Sequence, residues 1–475
     1  MRNKDGKAGV AILILAIIIL LAAVPWYFLI VGNLNSGGIN LFRPKETEEP
    51  AESVPDPSDN DPDDQEDEPE TPPEEDGPEH GPGHSLPHED TVIYMRTANQ
   101  EVFNELAEFA EELNAAAVSL VLFDGDTGEY YPFEYGYADL DDNRSVNINT
   151  KFRVASLAKL TTAISAMVLV DEGLLDLDTD ISVYLGYEVK NTNFPGTAIT
   201  ARMLMQHTSS IFDSGAFQVS RDRNTSESVR FLLERGSSFR RNEPGSNFEY
   251  SNFGYAILGA ICENVSGETL DTLSREVLFD PLGIDAAYVP ENLTDNNNIA
   301  VIYNENHVVT RSVASQLSVT ESGILGDDLH LAQGNLTISA LDYARVLTML
   351  GNGGVLHGVR VLSTNSVREI FDSTVEGDGY TQGLATRYSP DGFIPGEGFF
   401  WHTGSGFGLL AQYLYSAEPG VNRGVVVVTT GVTSNREPSG MVSICNDLSK
   451  IAWGLWDKMG IGTDENRDTE DENND

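Results

Sequence analysis

Strand-like segments stand at both ends of the globular part of this chain, and helical patterns fill the long stretch between them. Residues 119–123 and 130–137 look like strands, joined by Asp124-Gly125-Asp126-Thr127-Gly128, a turn carrying the Asp-Gly signal of a hairpin. Far downstream, 408–415 and 424–430 are again apolar or alternating. Phe103, Leu106, Phe109 and Leu113 recur at helical spacing before the first strand, and a last helix is expected over about 438–456. Helices are expected between the strand groups at 156–172, 199–207, 226–235, 252–266 and 339–351, the last opened by a capping box of Ser339 and Asp342. This order predicts an α/β (α+β) fold: one antiparallel sheet assembled from both chain ends and flanked by helices, with a helical subdomain inserted. A functional cleft is expected between the two parts.

The chain ends follow different rules. Arg2, Lys4 and Lys7 precede an almost unbroken apolar run over 8–31, long enough as a helix to cross a hydrocarbon layer of about 30 Å. The run continues past Ala22-Ala23 through Trp26, Tyr27, Phe28, Leu29 and Ile30, so it reads as an uncleaved anchor rather than a signal peptide. The preceding positive charges place residues 1–7 in the cytoplasm and everything after the span outside, on the cell membrane. Residues 32–90 read as a disordered tether, of which 44–90 hold 19 acids against one lysine and almost no aliphatic side chains. His80, His84 and His88 have metal-like spacing there, but Gly81, Pro82 and Gly83 forbid the helix that would converge them, so no metal is expected. Residues 464–475 form an acidic disordered tail. The net charge of −45 is shared by the folded body, 91–463, and excludes nucleic acid as a partner. Cys262 and Cys445 lie in apolar helical stretches and read as buried free thiols, with a disulfide as the alternative in a domain outside the cytoplasm.

Within the body, Ser156 precedes Lys159 by three residues at the head of an apolar helical run. That spacing puts hydroxyl and ammonium on one helix face, where a lysine of lowered pKa takes the serine proton. Alone the pair is a weak signal. Tyr250-Ser251-Asn252 and His402-Thr403-Gly404 follow in order, each triplet type occurring once in the chain. In this sequence of motifs the chain resembles the serine β-lactamase and penicillin-binding-protein superfamily, in the branch of class C β-lactamases, DD-peptidases and related esterases. Further stretches carry the same resemblance: Phe152-Arg153-Val154-Ala155, Leu-Met-Gln-His-Thr-Ser at 204–209, Pro244-Gly245, and 334–354 with Ser339, Asp342 and Gly353-Gly354. It covers roughly 101–458 and implies a β-lactamase-like architecture.

The resemblance implies Ser156 as the nucleophile that becomes acylated, with Lys159 and Tyr250 sharing its proton. It also implies Asn252 as the group holding lysine and substrate amide, and the backbone N–H groups of Ser156 and Ser405 as oxyanion donors. His402, Thr403, Gly404 and Ser405 are then substrate-binding residues, and no cofactor is implied. His207 is expected to cap and pack; Ser210 stands where the family usually has glycine, which puts that loop's geometry in question. His402 stands where β-lactamases of this group carry lysine, so a titrating cation is expected there. The substrates in view are a D-Ala-D-Ala peptide, a β-lactam or an ester. The expected function is a membrane-anchored, extracytoplasmic serine hydrolase of DD-peptidase or esterase type, with a β-lactamase or a non-catalytic penicillin sensor as alternatives.

Overall fold

The computed structural model describes residues 89–218, 228–390, 397–433, 435–437 and 440–460. The expected membrane span 8–31, the tether as far as residue 88 with its three histidines, and the tail 464–475 lie outside the described residues. Among the described residues no helix is long and apolar enough to cross a membrane.

The elements that position the site are β1 (Thr91–Val92), α1 (Gln100–Glu112), β2 (Ala117–Asp124), β3 (Glu129–Asp139), α2 (Ala158–Asp171), α3 (Asn252–Ser266), α4 (Ala340–Gly351), β4 (Arg387–Ser389), β5 (Phe399–Gly406), β6 (Leu409–Ser416), β7 (Arg423–Thr430) and α5 (Ser443–Met459). They build a sheet of order β1-β3-β2-β7-β6-β5-β4, continued by the short strands Thr381–Gln382 and Val375–Glu376. The seam between chain ends is β7 on β2, antiparallel, with Val426 opposite Val121. Only the two-residue β1 breaks the antiparallel pattern, pairing in parallel with β3.

Successive strand residues point to opposite faces, and the sheet uses both. Val118, Leu120, Leu122, Val425 and Val427 pack under α1 and α5. Val121, Phe123, Val426 and Val428 join α2, α3 and α4 in the second core. Cys445 belongs to the first core and Cys262 to the second; both are free, and burial pushes each thiol up to about 12.

Local chemistry fixes the boundaries. Helix α3 starts at Asn252 because the Ser251 hydroxyl accepts the Gly254 N–H at 3.0 Å, and it ends at Gly267, whose φ of 78° suits a left-handed cap. Helix α5 begins later than the apolar pattern predicts, since Arg436 and Val442 pair first as an extended bridge. Asp90, the last residue of the expected tether, contacts the body through Arg345 Nε at 2.5 Å and His357 Nε2 at 2.8 Å.

Candidate active site

Ser156 does not sit on the α-helix itself. It occupies a tight turn over Ala155–Leu157, entered through Ala155 at a φ of 49°, and α2 begins at Ala158. An alanine in left-handed backbone is uncommon and costs about 1–2 kcal/mol, a strain typical of residues that thrust a nucleophile out of its element. Ser156 is half-buried and Lys159 fully buried. Besides the Tyr250 hydroxyl, three acceptors surround the ammonium: Ser156 Oγ at 3.3 Å, Asn252 Oδ1 at 2.8 Å and the Gln333 carbonyl at 2.6 Å. Burial lowers the lysine pKa, against opposing pulls from Tyr250 and Asp213. A lysine so placed is held in register and is willing to give or take a proton.

Tyr250 lies immediately before α3, with Lys159 Nζ 5.0 Å from its ring centre. Burial alone would raise its phenol, but the charges of Lys159 and Arg387, with hydrogen bonding to Lys159 and Ser156, outweigh it and bring the pKa below the ordinary tyrosine value. The ring is backed by His207, centre to centre 4.3 Å. His207 Nδ1 accepts the Ser251 N–H at 3.1 Å, so the neutral ring carries its proton on Nε2. Histidine here caps and packs, and burial keeps it uncharged. Ser210 takes the conformation a glycine would, φ 61°, steadied by Asn191 Nδ2 on its hydroxyl at 3.0 Å.

Strand β5 supplies the opposite wall. On one side it pairs along its whole length with β6; on the other, β4 reaches only Phe399, Phe400 and Trp401. The stretch from His402 to Gly406 therefore presents a strand edge with no neighbouring strand among the described residues, the arrangement a peptide-like substrate extends. Gly404 makes the close approach to the Ser156 turn possible: a Cβ there would stand 2.2 Å from the Val154 carbonyl oxygen and 3.3 Å from Leu157 Cδ1. Ser405 is exposed at this edge. Thr403, two residues earlier and on the same face of the strand, takes a hydrogen bond from Arg436 Nη1 at 3.3 Å.

The structure corrects the expected charge at His402. The side chain is 1% exposed, Nδ1 bonds the Thr403 carbonyl at 2.9 Å, and Nε2 is buried without a partner. Burial, reinforced by Arg387 and Lys159, drives its pKa well below the usual histidine value, so it is a neutral ring. The permanent cation comes instead from Arg387, on β4, whose guanidinium carbon lies 4.5 Å from the Tyr380 ring, 5.0 Å from Trp401 and 5.5 Å from Tyr250. It is 8% exposed, its Nε is buried without an acceptor, and among the described residues no carboxylate pairs with it. Sequence reasoning missed Arg387, Gln333 and Asp213. Gln333 acts through its backbone and carries no signal in residue type.

Beside Tyr250 opens a cleft of about 620 Å³, bordered by Phe248, Glu249, Glu376, Asp378 and Tyr380.

A sequence profile for the family described as Beta-lactamase matches residues 106–441. Penicillin-binding protein 4 of Amycolatopsis lactamdurans is 29% identical over 335 residues, covering 66% of this chain and 80% of that protein. Penicillin-binding protein 4* of Bacillus subtilis (strain 168) is 30% identical over 164 residues, 34% of this chain and 35% of that protein, so the match spans about a third of that relative's length. Among solved structures, the β-lactamase/D-alanine carboxypeptidase from Pseudomonas syringae superposes with a TM-score of 0.57 at 18% identity, over 75% of this chain and 98% of that one.

Proposed function

The chain belongs to the β-lactamase family, and on that premise we propose that this serine hydrolase is a carboxypeptidase-like enzyme that acylates Ser156 with peptides ending in a free carboxylate. The observation that carries the reading is Arg387, a buried guanidinium that has no carboxylate partner among the described residues and lies beside the phenol of Tyr250. Leaving such a charge unpaired is costly, and a planar carboxylate is its natural bidentate partner. A penicillin carries the same carboxylate and would occupy the same place.

In the proposed cycle, the Ser156 proton passes to the Lys159–Tyr250 pair as Oγ attacks the scissile carbonyl. The Ser156 and Ser405 N–H groups receive the oxyanion, Asn252 and the free edge of β5 hold the peptide, and the pair returns the proton to the departing amine. Water then repeats the sequence on the acyl-enzyme.

We further propose that the catalytic domain works outside the cell, tethered by the 8–31 span; protease added to intact cells should then release a soluble active fragment.

Arg387→Gln should raise KM for a carboxylate-terminated peptide about tenfold to a hundredfold, the worth of a charge-assisted hydrogen bond of about 1.5–3 kcal/mol, while a neutral ester loses far less. Because arginine stays charged and His402 stays neutral, the preference of the native enzyme for the carboxylate should not vary between about pH 5 and 8. Steady-state kinetics on a matched acid and ester check both; a preference that fades through the histidine range would return the role to His402.

A further inference from the structure

Asn252 lies between two groups of opposite kind. Its Oδ1 accepts from the Lys159 ammonium at 2.8 Å, and its Nδ2 donates to Asp213 Oδ2 at 2.7 Å. An ammonium only donates and a carboxylate only accepts, so this pair dictates which end of the amide faces the lysine. Were the amide reversed, two N–H donors would meet at Lys159 and two acceptor oxygens at Asp213. The carboxylate is itself held: Oδ1 accepts the Phe253 N–H at 2.9 Å and the Ser251 hydroxyl at 3.3 Å, both at the first turn of α3. Asp213 comes from a different loop, downstream of His207, so helix and loop are joined at the point where the amide is aimed.

We propose that Asp213 is a positioning residue for the acyl-transfer reaction: it fixes the polarity of the Asn252 amide, so that Oδ1 steadies Lys159 and the second Nδ2 proton is left for the carbonyl of a bound substrate. The inference rests on the reading of Ser156 as nucleophile, but not on the identity of the substrate. A second consequence is electrostatic. The groups facing Lys159 are Tyr250, Asn252, Ser156, the Gln333 carbonyl, Asp213, Arg387 and Tyr255, whose ring centre is 5.4 Å away and whose phenol burial keeps protonated, with neutral His207 and His402 behind the Tyr250 phenol. Asp213 adds negative charge on the lysine side, which favours the ammonium, so removing that charge moves the lysine to lower pKa.

The test is the second-order rate of Ser156 labelling by a fluorophosphonate, read by intact mass, in Asp213→Asn, Asn252→Ala and the double variant, with thermal melting as the folding check. An asparagine at 213 has one acceptor where the native residue has two, so it cannot satisfy both Asn252 and the α3 N-terminus. Asp213→Asn should label about tenfold to a hundredfold more slowly than wild type. Its rate profile should shift the limb that reports Lys159 to lower pH. In the Asn252→Ala background the same substitution should cost less than about threefold. Equal losses in both backgrounds, or an unmoved limb, would make Asp213 a structural cap and overturn the proposal. Should Asp213→Asn fail to fold, Asp213→Ser, which keeps a small acceptor for the Phe253 N–H, gives the same comparison. A wild type that takes no label at Ser156 overturns the reading of the nucleophile and this inference with it, which separates that failure from a loss confined to the variant.

Discussion

Ser156→Ala should abolish acylation, and Lys159→Ala should lose at least about three orders of magnitude in kcat/KM. A nucleophile and its proton acceptor act as one unit, so removing either forfeits most of the benefit of both. The lysine substitution has a structural side as well: it leaves Asn252 Oδ1 and the Gln333 carbonyl without their shared donor. Lys159→Met, which fills the same space, separates the two effects. Intact mass after exposure to a penicillin and, separately, to a fluorophosphonate is the direct measurement: adducts on wild type and none on Ser156→Ala. Full hydrolysis of p-nitrophenyl acetate by a properly folded Ser156→Ala would remove the serine from its role. A penicillin adduct that persists for hours supports the peptidase reading, whereas rapid turnover supports a β-lactamase.

Tyr250→Phe should cost about a hundredfold to ten-thousandfold in kcat/KM, the range of general acid–base catalysis, with little change in fold, because the ring keeps its tilted packing against His207. The sign of the pH effect follows from the charges. The tyrosinate favours the ammonium of Lys159, so without the phenol the lysine pKa falls further, and the limb of the rate profile that reports it moves to lower pH. In the native enzyme the phenol is lowered by Lys159 and Arg387 while burial lowers the lysine, so the two groups approach one another and share a proton at low cost. Rate profiles of wild type and Tyr250→Phe on one ester decide it. An unchanged rate would mean that Lys159 alone handles the proton.

What the sequence disclosed and what it concealed divide along a physical line. Ser156 and Lys159 could be paired on paper because their contact is local, set by helical geometry. Helix α3 could be bounded at 252–266 because its capping serine and terminal glycine are written in the chain. The two-ended sheet followed from hydrophobic alternation. Arg387 gave no warning: it sits on a three-residue strand too short to show a period, and its closeness to Tyr250 exists only after β4 docks on β5. Asp213 was invisible for the same reason. His402 was misjudged because a triplet records the residue type and not its burial, and burial decides whether an imidazole carries charge.

The seam between β2 and β7 has a consequence for how the enzyme matures. The strand that completes the sheet beside β2 ends at Thr430, and the free edge of β5 precedes it by only a short interval, although Ser156 was made long before. Contacts of such sequence separation form late and slowly, since the loop must close before any pairing rewards it. A growing chain therefore carries Ser156 without the strand wall that faces it, and on the proposed mechanism hydrolytic competence arrives only once β5 to β7 have been made. A chain that stops short in the C-terminal strands is chemically silent and exposes the apolar edge of β2, so a truncated product presents itself for degradation before it can act on a substrate.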